Sequence, residues 1–344
     1  MTTLLAFSET EALDAVLSGV SNITTGNAIE AGVNRAAIQL VNQAVALATL
    51  DTPQNEGWVH AKVVPRNGSS ISGSLADYFM AIVDGNNNII AGFYQNNTSN
   101  GASIQWRAVY FLDPLIGTGG NEPTTGLLIG TPTGGAFDVD IHYRIADADG
   151  FIRWYVNGSL VREVLGDTQN GASTVISKVR FRALGTSAGT TAPHWLQFSQ
   201  VIVSDEPTIG ARLHTLELSA GSVNEWAGTI ADVTGVADSP LTFIQETTIG
   251  DEILFAATDI AAINSGNEIK SLVLSQSALA VPGAPVTNLR GRVRVGGTTY
   301  DGATKGLTSG FAKTQHFFEL NPATSAKWTL AQANGAELGM EAVA

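Results

Sequence analysis

The sequence contains no cysteine, which excludes disulfide bonds, thiolate nucleophiles and cysteine-based zinc sites. Long apolar runs are also missing, since none approaches the roughly 18 residues that a membrane-spanning helix requires. The N-terminus, MTTLLAFSETEALD, has neither a basic region nor a small-residue cleavage site, so we expect no signal peptide. Burial of apolar surface, or association with other subunits, must therefore stabilise the fold.

Charged residues are scarce, at 14% of the 344 residues, and most of them are acidic. The 18 Lys and Arg against 31 Asp and Glu give a formal net charge of −13. Nonspecific binding to nucleic acid is not expected of such a chain. The 5 histidines show no HxH or HExxH spacing, and no P-loop, GxSxG or dinucleotide motif occurs. Transition-metal and nucleotide sites are therefore unsupported.

The sequence is rich in glycine, with 37 residues, and in short apolar segments that end at turns. The clearest example is the stretch 137–167. Its first run alternates apolar and polar residues with the period of a half-buried strand. Ala148-Asp149-Gly150 and Asn157-Gly158 are typical of hairpin turns, so three consecutive antiparallel strands are predicted. Similar runs recur about every 8–12 residues, which indicates an all-β fold of the sandwich or jelly-roll type.

A break in this pattern at Asp205-Glu206-Pro207 predicts two domains, residues 1–204 and residues 205–344. The segments WVHAK at 58–62 and GFIRWYVNG at 150–158 resemble the strands of a concanavalin A-like (laminin-G-like) jelly roll. That resemblance implies an N-terminal jelly-roll sandwich. A C-terminal β-sandwich domain is predicted to follow it.

The second domain is similar to β-domains of structural proteins of tailed bacteriophages. This resemblance is carried by VSDEPTIGARL at 203–213, NEWAG at 224–228 and NPAT at 321–324, with Trp328, Leu338 and Gly339. It implies a non-enzymatic virion component, either a capsid decoration or spike protein or a tail-associated protein, assembled in the host cytoplasm. The implied partners are other virion proteins and further copies of the chain, as a trimer or pentamer. Neither nucleic-acid binding nor membrane insertion is implied.

Two other functions are left open: a glycan-binding adsorption module that contacts the host surface, and a glycan hydrolase. Some hydrolases with this jelly roll use paired carboxylates along one strand. Asp138, Asp140 and His142 share a strand face, but the pattern of those hydrolases is Glu–Asp–Glu. Replacing Glu by Asp moves the carboxylate by about one C–C bond, which is enough to spoil a positioned attack. We therefore predict no catalytic residue and no enzymatic activity.

The adsorption alternative needs a surface on which sugars can stack. Four aromatic residues are candidates for it: Trp106, Tyr110, Trp154 and Tyr155. Trp154 and Tyr155 are adjacent in a predicted strand and must point to opposite faces, so at least one of them should be buried. A position in the core is the alternative for each of the four.

Calcium is the one cofactor left open, and otherwise none is expected. The oxygen-rich candidates are Asp84, Asn86 and Asn88 in one loop, and Asp147 and Asp149 in another. The first loop has the D-x-N-x-N spacing of a calcium loop, but Gln95 stands at the position of the closing Glu. Hairpin turns require Asp and Asn for their own geometry, and we favour plain turns at both places.

Arg290, Arg292 and Arg294 alternate along one predicted strand and place three like charges on one face. In an acidic protein they are suited to docking onto carboxylates of a neighbouring protein, which guanidinium groups bind in a forked geometry. The alternative is an edge strand that its charge protects against aggregation. Docking through these three arginines is the interaction that we predict.

Overall fold

The computed structural model describes residues 3–7, 15–16, 23–27, 29, 33, 36–41, 44–66, 75–97, 104–111, 127–130, 135–183, 195–229, 232–233, 243–261, 263 and 266–344. The chain forms two compact units. The larger is built from Leu4–Glu9 and Leu13–Leu213, and the smaller mainly from His214–Ala344. The division thus follows Leu213, whereas the sequence pattern predicts it after residue 204. Within the described residues, no helix is long and apolar enough to cross a membrane.

The described residues of the larger unit form fifteen strands. They are β1 (Thr3–Phe7), β2 (Ala15–Val16), β3 (Ile23–Asn27), β4 (Ala36–Val41), β5 (Val45–Gln54), β6 (Glu56–Arg66), β7 (Leu75–Val83), β8 (Ile89–Asn97), β9 (Ile104–Tyr110), β10 (Leu127–Gly130), β11 (Phe137–Arg144), β12 (Gly150–Val156), β13 (Ser159–Gly166), β14 (Ile176–Arg182) and β15 (Trp195–Ser204).

These strands form two antiparallel sheets that pack face to face. The eight-stranded sheet has the order β13-β12-β11-β6-β15-β4-β3, with β1 also paired to β15, and the seven-stranded sheet has the order β10-β9-β8-β7-β14-β5-β2. The rings of Phe181 and Phe198 stack between the sheets with their centroids 4.0 Å apart. Trp154 Nε1 donates a hydrogen bond across the sandwich to the carbonyl oxygen of Gly92, at 3.1 Å. The core of this unit therefore lies between the two sheets.

The smaller unit contributes the remaining described elements. They are β16 (Leu218–Asn224), β17 (Glu252–Ala257), β18 (Leu272–Ala278), β19 (Asn288–Val295), β20 (Thr298–Gly306), β21 (Ala312–Phe318), the helix α1 (Leu330–Asn334) and β22 (Glu337–Val343). A five-stranded sheet has the order β16-β17-β22-β19-β20, and β18 pairs with β21. Thr329 caps α1 by accepting a hydrogen bond from the Gln332 backbone, and the Gln332 side chain accepts one from Thr329 in return.

The predicted meander is confirmed, because β11, β12 and β13 are consecutive antiparallel strands. Their alternation buries Val139 and Ile141 completely in the core. Asn157 and Gly158 both have positive φ values, 49° and 77°, as the tight turn between β12 and β13 requires. The all-β class predicted from the sequence is confirmed as well.

Candidate functional site

One face of the eight-stranded sheet points away from the core and carries polar and aromatic side chains. It is formed by β6, β11 and β12, and we call it the outer face. Its side chains are Trp58, His60, Lys62, Asp138, Asp140, His142, Arg144, Phe151, Arg153 and Tyr155. Register places His142 between Trp58 on β6 and Arg153 on β12. The outer face therefore combines residues that lie about 80–100 positions apart in the chain.

One end of the outer face is covered and fully buried. His60 Nδ1 lies 2.9 Å from Asp140 Oδ1, and the Thr208 hydroxyl donates a hydrogen bond to the same oxygen at 2.7 Å. His60 and Asp140 are 0% exposed and Thr208 is 1% exposed. Within the described residues, His60 Nε2 and Asp140 Oδ2 have no hydrogen-bond partner. Because buried polar groups are nearly always bonded, this end has unused bonding capacity.

Asp138 lies at the same end and is held by two cations. Its Oδ1 accepts a hydrogen bond from Lys62 Nζ at 3.0 Å, and its Oδ2 lies 3.4 Å from a terminal nitrogen of Arg212. Asp138 and Asp140 thus share a strand face, as predicted. Both carboxylates are already engaged within the protein, so neither is a solvated group at the surface.

The other end of the outer face is open and is organised around His142. The imidazole stacks on the Trp58 ring, with centroids 4.0 Å apart and planes 9° from parallel, and meets the edge of Phe151 at 4.5 Å. The Tyr155 ring lies 5.5 Å from the same indole. Trp58 is buried beneath these rings, while His142 and Tyr155 are partly exposed. Trp58 therefore fixes the orientation of two side chains that solvent can reach.

His142 is electrically neutral at neutral pH. Burial and the nearby charges of Arg153 and Arg144 together lower the pKa of its imidazole from 6.5 to about 4, while Glu56 opposes them. No hydrogen bond to either ring nitrogen is formed by the residues that the structure describes. A neutral imidazole with free ring nitrogens can accept a proton, and its lowered pKa makes it a weaker base than free imidazole.

Arg153 and Tyr155 flank this imidazole on β12. Arg153 donates from its Nε to Glu163 at 2.6 Å, and its guanidinium lies over the Phe151 ring at 4.5 Å from the centroid. Its two terminal nitrogens form no hydrogen bond within the described part of the chain. Burial raises the pKa of the Tyr155 hydroxyl, Arg153 opposes the rise, and Glu163 and Asp140 add to it. Tyr155 therefore stays protonated at neutral pH and can donate a proton or a hydrogen bond.

Arg144 and two leucines complete the open end. Arg144 forms a fork with Glu56, at 2.9 and 3.2 Å, which uses two of its guanidinium nitrogens. Leu160 and Leu165 of β13 pair in register with Tyr155 and Phe151, and they are 52% and 67% exposed. The open end thus offers a base, an acid, spare guanidinium donors and apolar surface side by side.

The structure buries three of the four aromatic residues proposed for sugar stacking. Trp106 lies against Phe79 at 4.5 Å, the Tyr110 hydroxyl donates a hydrogen bond to the backbone oxygen of Asp167, and Trp154 is 0% exposed. These side chains fill the core between the sheets. Tyr155 is the member of the set that remains in reach of a ligand.

The first calcium candidate forms a closed turn. Asp84 accepts hydrogen bonds from the backbone nitrogens of Asn86 and Asn88 at 2.9 and 2.7 Å, from the Asn88 side chain at 2.8 Å, and from the Ser173 hydroxyl. These bonds lower the pKa of Asp84, although burial opposes them. The carboxylate oxygens are thus used within the turn.

The second calcium candidate is exposed, and Asp149 lies 4.0 Å from Arg144. The described residues contain no group of three or more His, Cys, Asp or Glu side chains that could hold a metal ion. Calcium binding at Asp147 and Asp149 stays a prediction.

The three arginines of β19 lie on one face and pair with acids of neighbouring strands. Arg292 is within 3.3 Å of Glu252 and of Glu341 and also contacts Asp301. Arg290 reaches Asp301 at 3.0 Å and Glu341 at 3.3 Å. A partner's carboxylates would have to compete with these internal pairs, so docking stays a prediction.

Arg294 differs from the other two, because it donates a hydrogen bond to the Ser222 hydroxyl at 2.6 Å. Its register partner on β22 is Glu337. Ser222 itself donates a hydrogen bond to Glu337, so Arg294 joins a polar network and does not face an isolated acid. This position leaves a partner's carboxylate the least competition of the three.

Sequence reasoning did not identify Trp58, Arg153 or Thr208 as members of the site. Trp58 and Arg153 are visible as alternate positions of predicted strands, and pairing β6 and β12 on either side of β11 would have placed both beside His142. Thr208 lies in an irregular segment and carries no local signal.

No family model matches the chain, and no curated protein matches it. Solved structures with a similar fold include alginate lyase Aly36B, at 13% identity and TM-score 0.40 over 53% of this chain and 83% of that one. An endo-β-1,4-glucuronan lyase from the fungus Trichoderma reesei matches at 12% identity and TM-score 0.42 over 60% and 96%. Alginate lyase vAL-1 from Chlorella virus matches at 11% identity and TM-score 0.35 over 60% and 100%. These likenesses concern the fold alone.

The expectation of a tailed-phage virion protein without enzymatic activity is wrong. The solved structures named here are polysaccharide lyases, and none of them is a virion protein. The physical reason for the error is that the motifs behind it are general features of β-sheets. The NPAT motif at 321–324, for example, forms an ordinary turn in which the Thr324 nitrogen donates a hydrogen bond to the Asn321 oxygen at 3.1 Å.

Proposed function

We propose that the chain is a polysaccharide-cleaving enzyme that acts by β-elimination on a uronate-containing polymer at the open end of the outer face. The observation that carries this proposal is the neutral, unpaired imidazole of His142 beside the spare guanidinium nitrogens of Arg153. A protein surface normally pairs or solvates such groups separately. Here they are held together by the Trp58 ring and by adjacent strands.

β-Elimination requires a group that neutralises the carboxylate, a base and an acid, and Arg153, His142 and Tyr155 can fill these three roles. The proton beside a uronate carboxylate becomes acidic enough to remove once the negative charge of that carboxylate is neutralised, and a guanidinium fork does this well. In our proposal Arg153 binds the carboxylate and His142 takes the proton from the adjacent carbon. The bond from the next carbon to the glycosidic oxygen then breaks, a carbon–carbon double bond forms, and Tyr155 protonates the departing oxygen. Solvent returns the proton from His142 to Tyr155.

The carboxylates of the outer face favour elimination over hydrolysis. A glycoside hydrolase needs two carboxyl groups that face the scissile bond, about 5–5.5 Å apart for retention and about 6.5–9.5 Å for inversion. Asp140 is fully buried under Thr208, and Asp138 is paired with Lys62 and Arg212. A polymer therefore cannot reach Asp140, and Asp138, which is 18% exposed, is engaged by two cations.

The test is to incubate the purified full chain with polymers of glucuronate, galacturonate, mannuronate and guluronate, with a neutral glucan as the matched control. Elimination creates a conjugated double bond that absorbs in the ultraviolet, together with one new reducing end for each bond cleaved. We expect both signals, in equal numbers, from at least one uronate polymer and neither from the glucan. Reducing ends without ultraviolet absorbance would mean hydrolysis, and silence on every polymer would refute the proposal.

A further inference from the structure

The segment 205–213, which follows β15 and which we call the strap, crosses one end of the outer face. It begins beyond Ser204, which pairs with Trp58 on β6. Thr208 then bonds to Asp140 on β11, and the Ile209 side chain lies close to Gly158 in the turn between β12 and β13. The strap therefore passes over the ends of β6, β11 and β12 in turn.

Side-chain bonds hold the strap at two points. The Thr208 hydroxyl donates to Asp140 Oδ1 at 2.7 Å, and Arg212 lies 3.4 Å from Asp138 Oδ2. A backbone hydrogen bond of 2.8 Å from Ala211 to the Thr208 oxygen closes a turn between these two residues. Each bond to the sheet joins a side chain of the strap to a carboxylate that is itself buried or mostly buried.

The strap divides the outer face into a roofed part and an open part. His60 and Asp140 beneath it are 0% exposed. His142, two positions further along β11, and Tyr155, the register partner of Asp140 on β12, are partly exposed. Beneath the strap, His60 Nε2 and Asp140 Oδ2 have no hydrogen-bond partner in the described residues. The roofed part therefore has the polar groups of a binding surface, but a polymer cannot enter it.

We infer that the strap ends the binding surface, so that a polysaccharide is seated with a chain end against Thr208 and is cleaved near that end. This inference rests on the proposed function and specifies which part of the polymer the site accepts. A surface open at both ends binds anywhere along a chain, while a surface closed at one end accepts only a terminus. Thr208 and Arg212 are then specificity-determining residues that act by holding the strap in place.

The test compares the wild type with the double variant Thr208→Ala/Arg212→Ala, which removes both side-chain bonds of the strap. The wild type should release short fragments of uniform size from the first time points, with a slow loss of polymer viscosity. The variant should release a broad range of sizes, with a rapid loss of viscosity. A matched control, Arg290→Ala/Thr304→Ala in the smaller unit, removes the same residue types from β19 and β20 and should behave like the wild type.

A second readout does not depend on turnover. Histidine-selective acylation, followed by peptide mass spectrometry, should modify His142 and spare His60 in the wild type, with buried His316 as an internal negative control. In the double variant, His60 should become modified to the level of His142. If His60 stays protected from acylation in a variant that remains folded, the strap does not shield it, and the inference is refuted.

The two readouts separate failure of this inference from failure of the proposed function. Broad product sizes from the wild type would overturn chain-end cleavage while leaving elimination intact. Absence of any cleavage would refute both the proposed function and chain-end cleavage. Acylation of His60 would then still show whether the strap covers the outer face.

Discussion

Strands β11 and β19 carry the same local pattern, three polar residues at alternate positions, yet the two faces that result differ. On β19, Arg290 and Arg292 each form ion pairs with both Asp301 and Glu341. On β11, Asp138 forms an ion pair with Lys62, and Asp140 accepts a hydrogen bond from Thr208. His142, at the third position, stacks on Trp58 and forms no hydrogen bond with the described residues. One face is a closed network, and the other ends in an unused base.

This difference shows what separates a structural polar face from a reactive one. Ion pairs within the sheet engage Arg290 and Arg292 of β19, so a ligand would have to compete with internal acids for these two arginines. At the open end of the outer face, burial keeps His142 neutral, and aromatic contacts fix it without using its nitrogens. Aromatic support orients the imidazole while its bonding capacity stays free for substrate.

The largest effect is expected from His142→Phe, which keeps an aromatic ring on Trp58 but removes the base. Turnover of the uronate polymer should fall about 10²–10⁴-fold, the usual contribution of general-base catalysis, while the thermal midpoint stays near that of the wild type. Initial rates of ultraviolet absorbance measure this. His214→Phe, at the partly buried histidine of the smaller unit, is the matched control and should keep full activity. Equal losses in both variants would contradict a base role for His142.

Trp154 and Tyr155 allow a sharper comparison, because they are adjacent in sequence and lie on opposite faces of the sheet. Trp154→Ala empties a fully buried site and removes the bond to Gly92, which should reduce the free energy of unfolding by about 3–5 kcal/mol. Tyr155→Phe should leave that free energy almost unchanged and lower turnover. Urea unfolding curves and initial rates measure the two effects. A large loss of stability in Tyr155→Phe would mean that the Tyr155 hydroxyl stabilises the fold and would contradict its role as the proton donor.

Among the arginines of β19, replacing Arg292 should reduce the free energy of unfolding more than replacing Arg290. Arg292 is 17% exposed and lies between Glu252 and Glu341, so Arg292→Gln removes the cation that pairs with Glu252 and leaves Glu341 with Arg290 alone. We expect a loss of about 2 kcal/mol in the free energy of unfolding. Arg290 is 32% exposed, and Arg290→Gln should cost only about 0.5 kcal/mol. Matched losses in urea unfolding would mean that the two ion-pair sites do not differ.

The smallest effect is expected from protonation of His142. Folding lowers the pKa of this residue from 6.5 to about 4, so between these values the unfolded chain takes up a proton that the folded chain does not. Its contribution to stability is therefore unchanged above pH 6.5 and decreases as the pH falls towards 4. Because the side chain is only half buried, solvent screening keeps the decrease small. The wild type should lose more stability than His142→Phe over this range, and parallel losses would contradict the lowered pKa.

The local geometry of the fold is predictable from the sequence, because alternation and turn residues act over a few positions. Asn157-Gly158 and the period of β11 gave the meander, and the adjacency of Trp154 and Tyr155 implied one buried and one surface ring. The partners of each strand are set by contacts between distant segments. His60 and Asp140 are separated by 80 positions, and their pairing depends on which strands become neighbours.

The candidate site was missed for the same reason. Asp138, Asp140 and His142 were correctly placed on one face, but their environments come from β6, β12 and the strap. Burial by Thr208 removes Asp140 from solvent, and stacking on Trp58 with nearby arginines makes His142 a neutral base. Neither effect can be derived from the order of residues along β11. The phage interpretation failed because short motifs such as NPAT at 321–324 form ordinary turns and do not indicate a function.

The hydrogen bond from Trp154 to Gly92 has a mechanical consequence for the site. It ties β12, which carries Arg153 and Tyr155, to β8 in the opposite sheet. A side chain at position 92 would collide with the Met80 backbone of the adjacent strand β7 at 2.4 Å, so glycine permits the close pairing of β8 with β7 at the residue that accepts this bond. A ligand that binds to β12 therefore also affects β8 in the opposite sheet. Amide hydrogen exchange along β8 should slow when a polymer occupies the outer face.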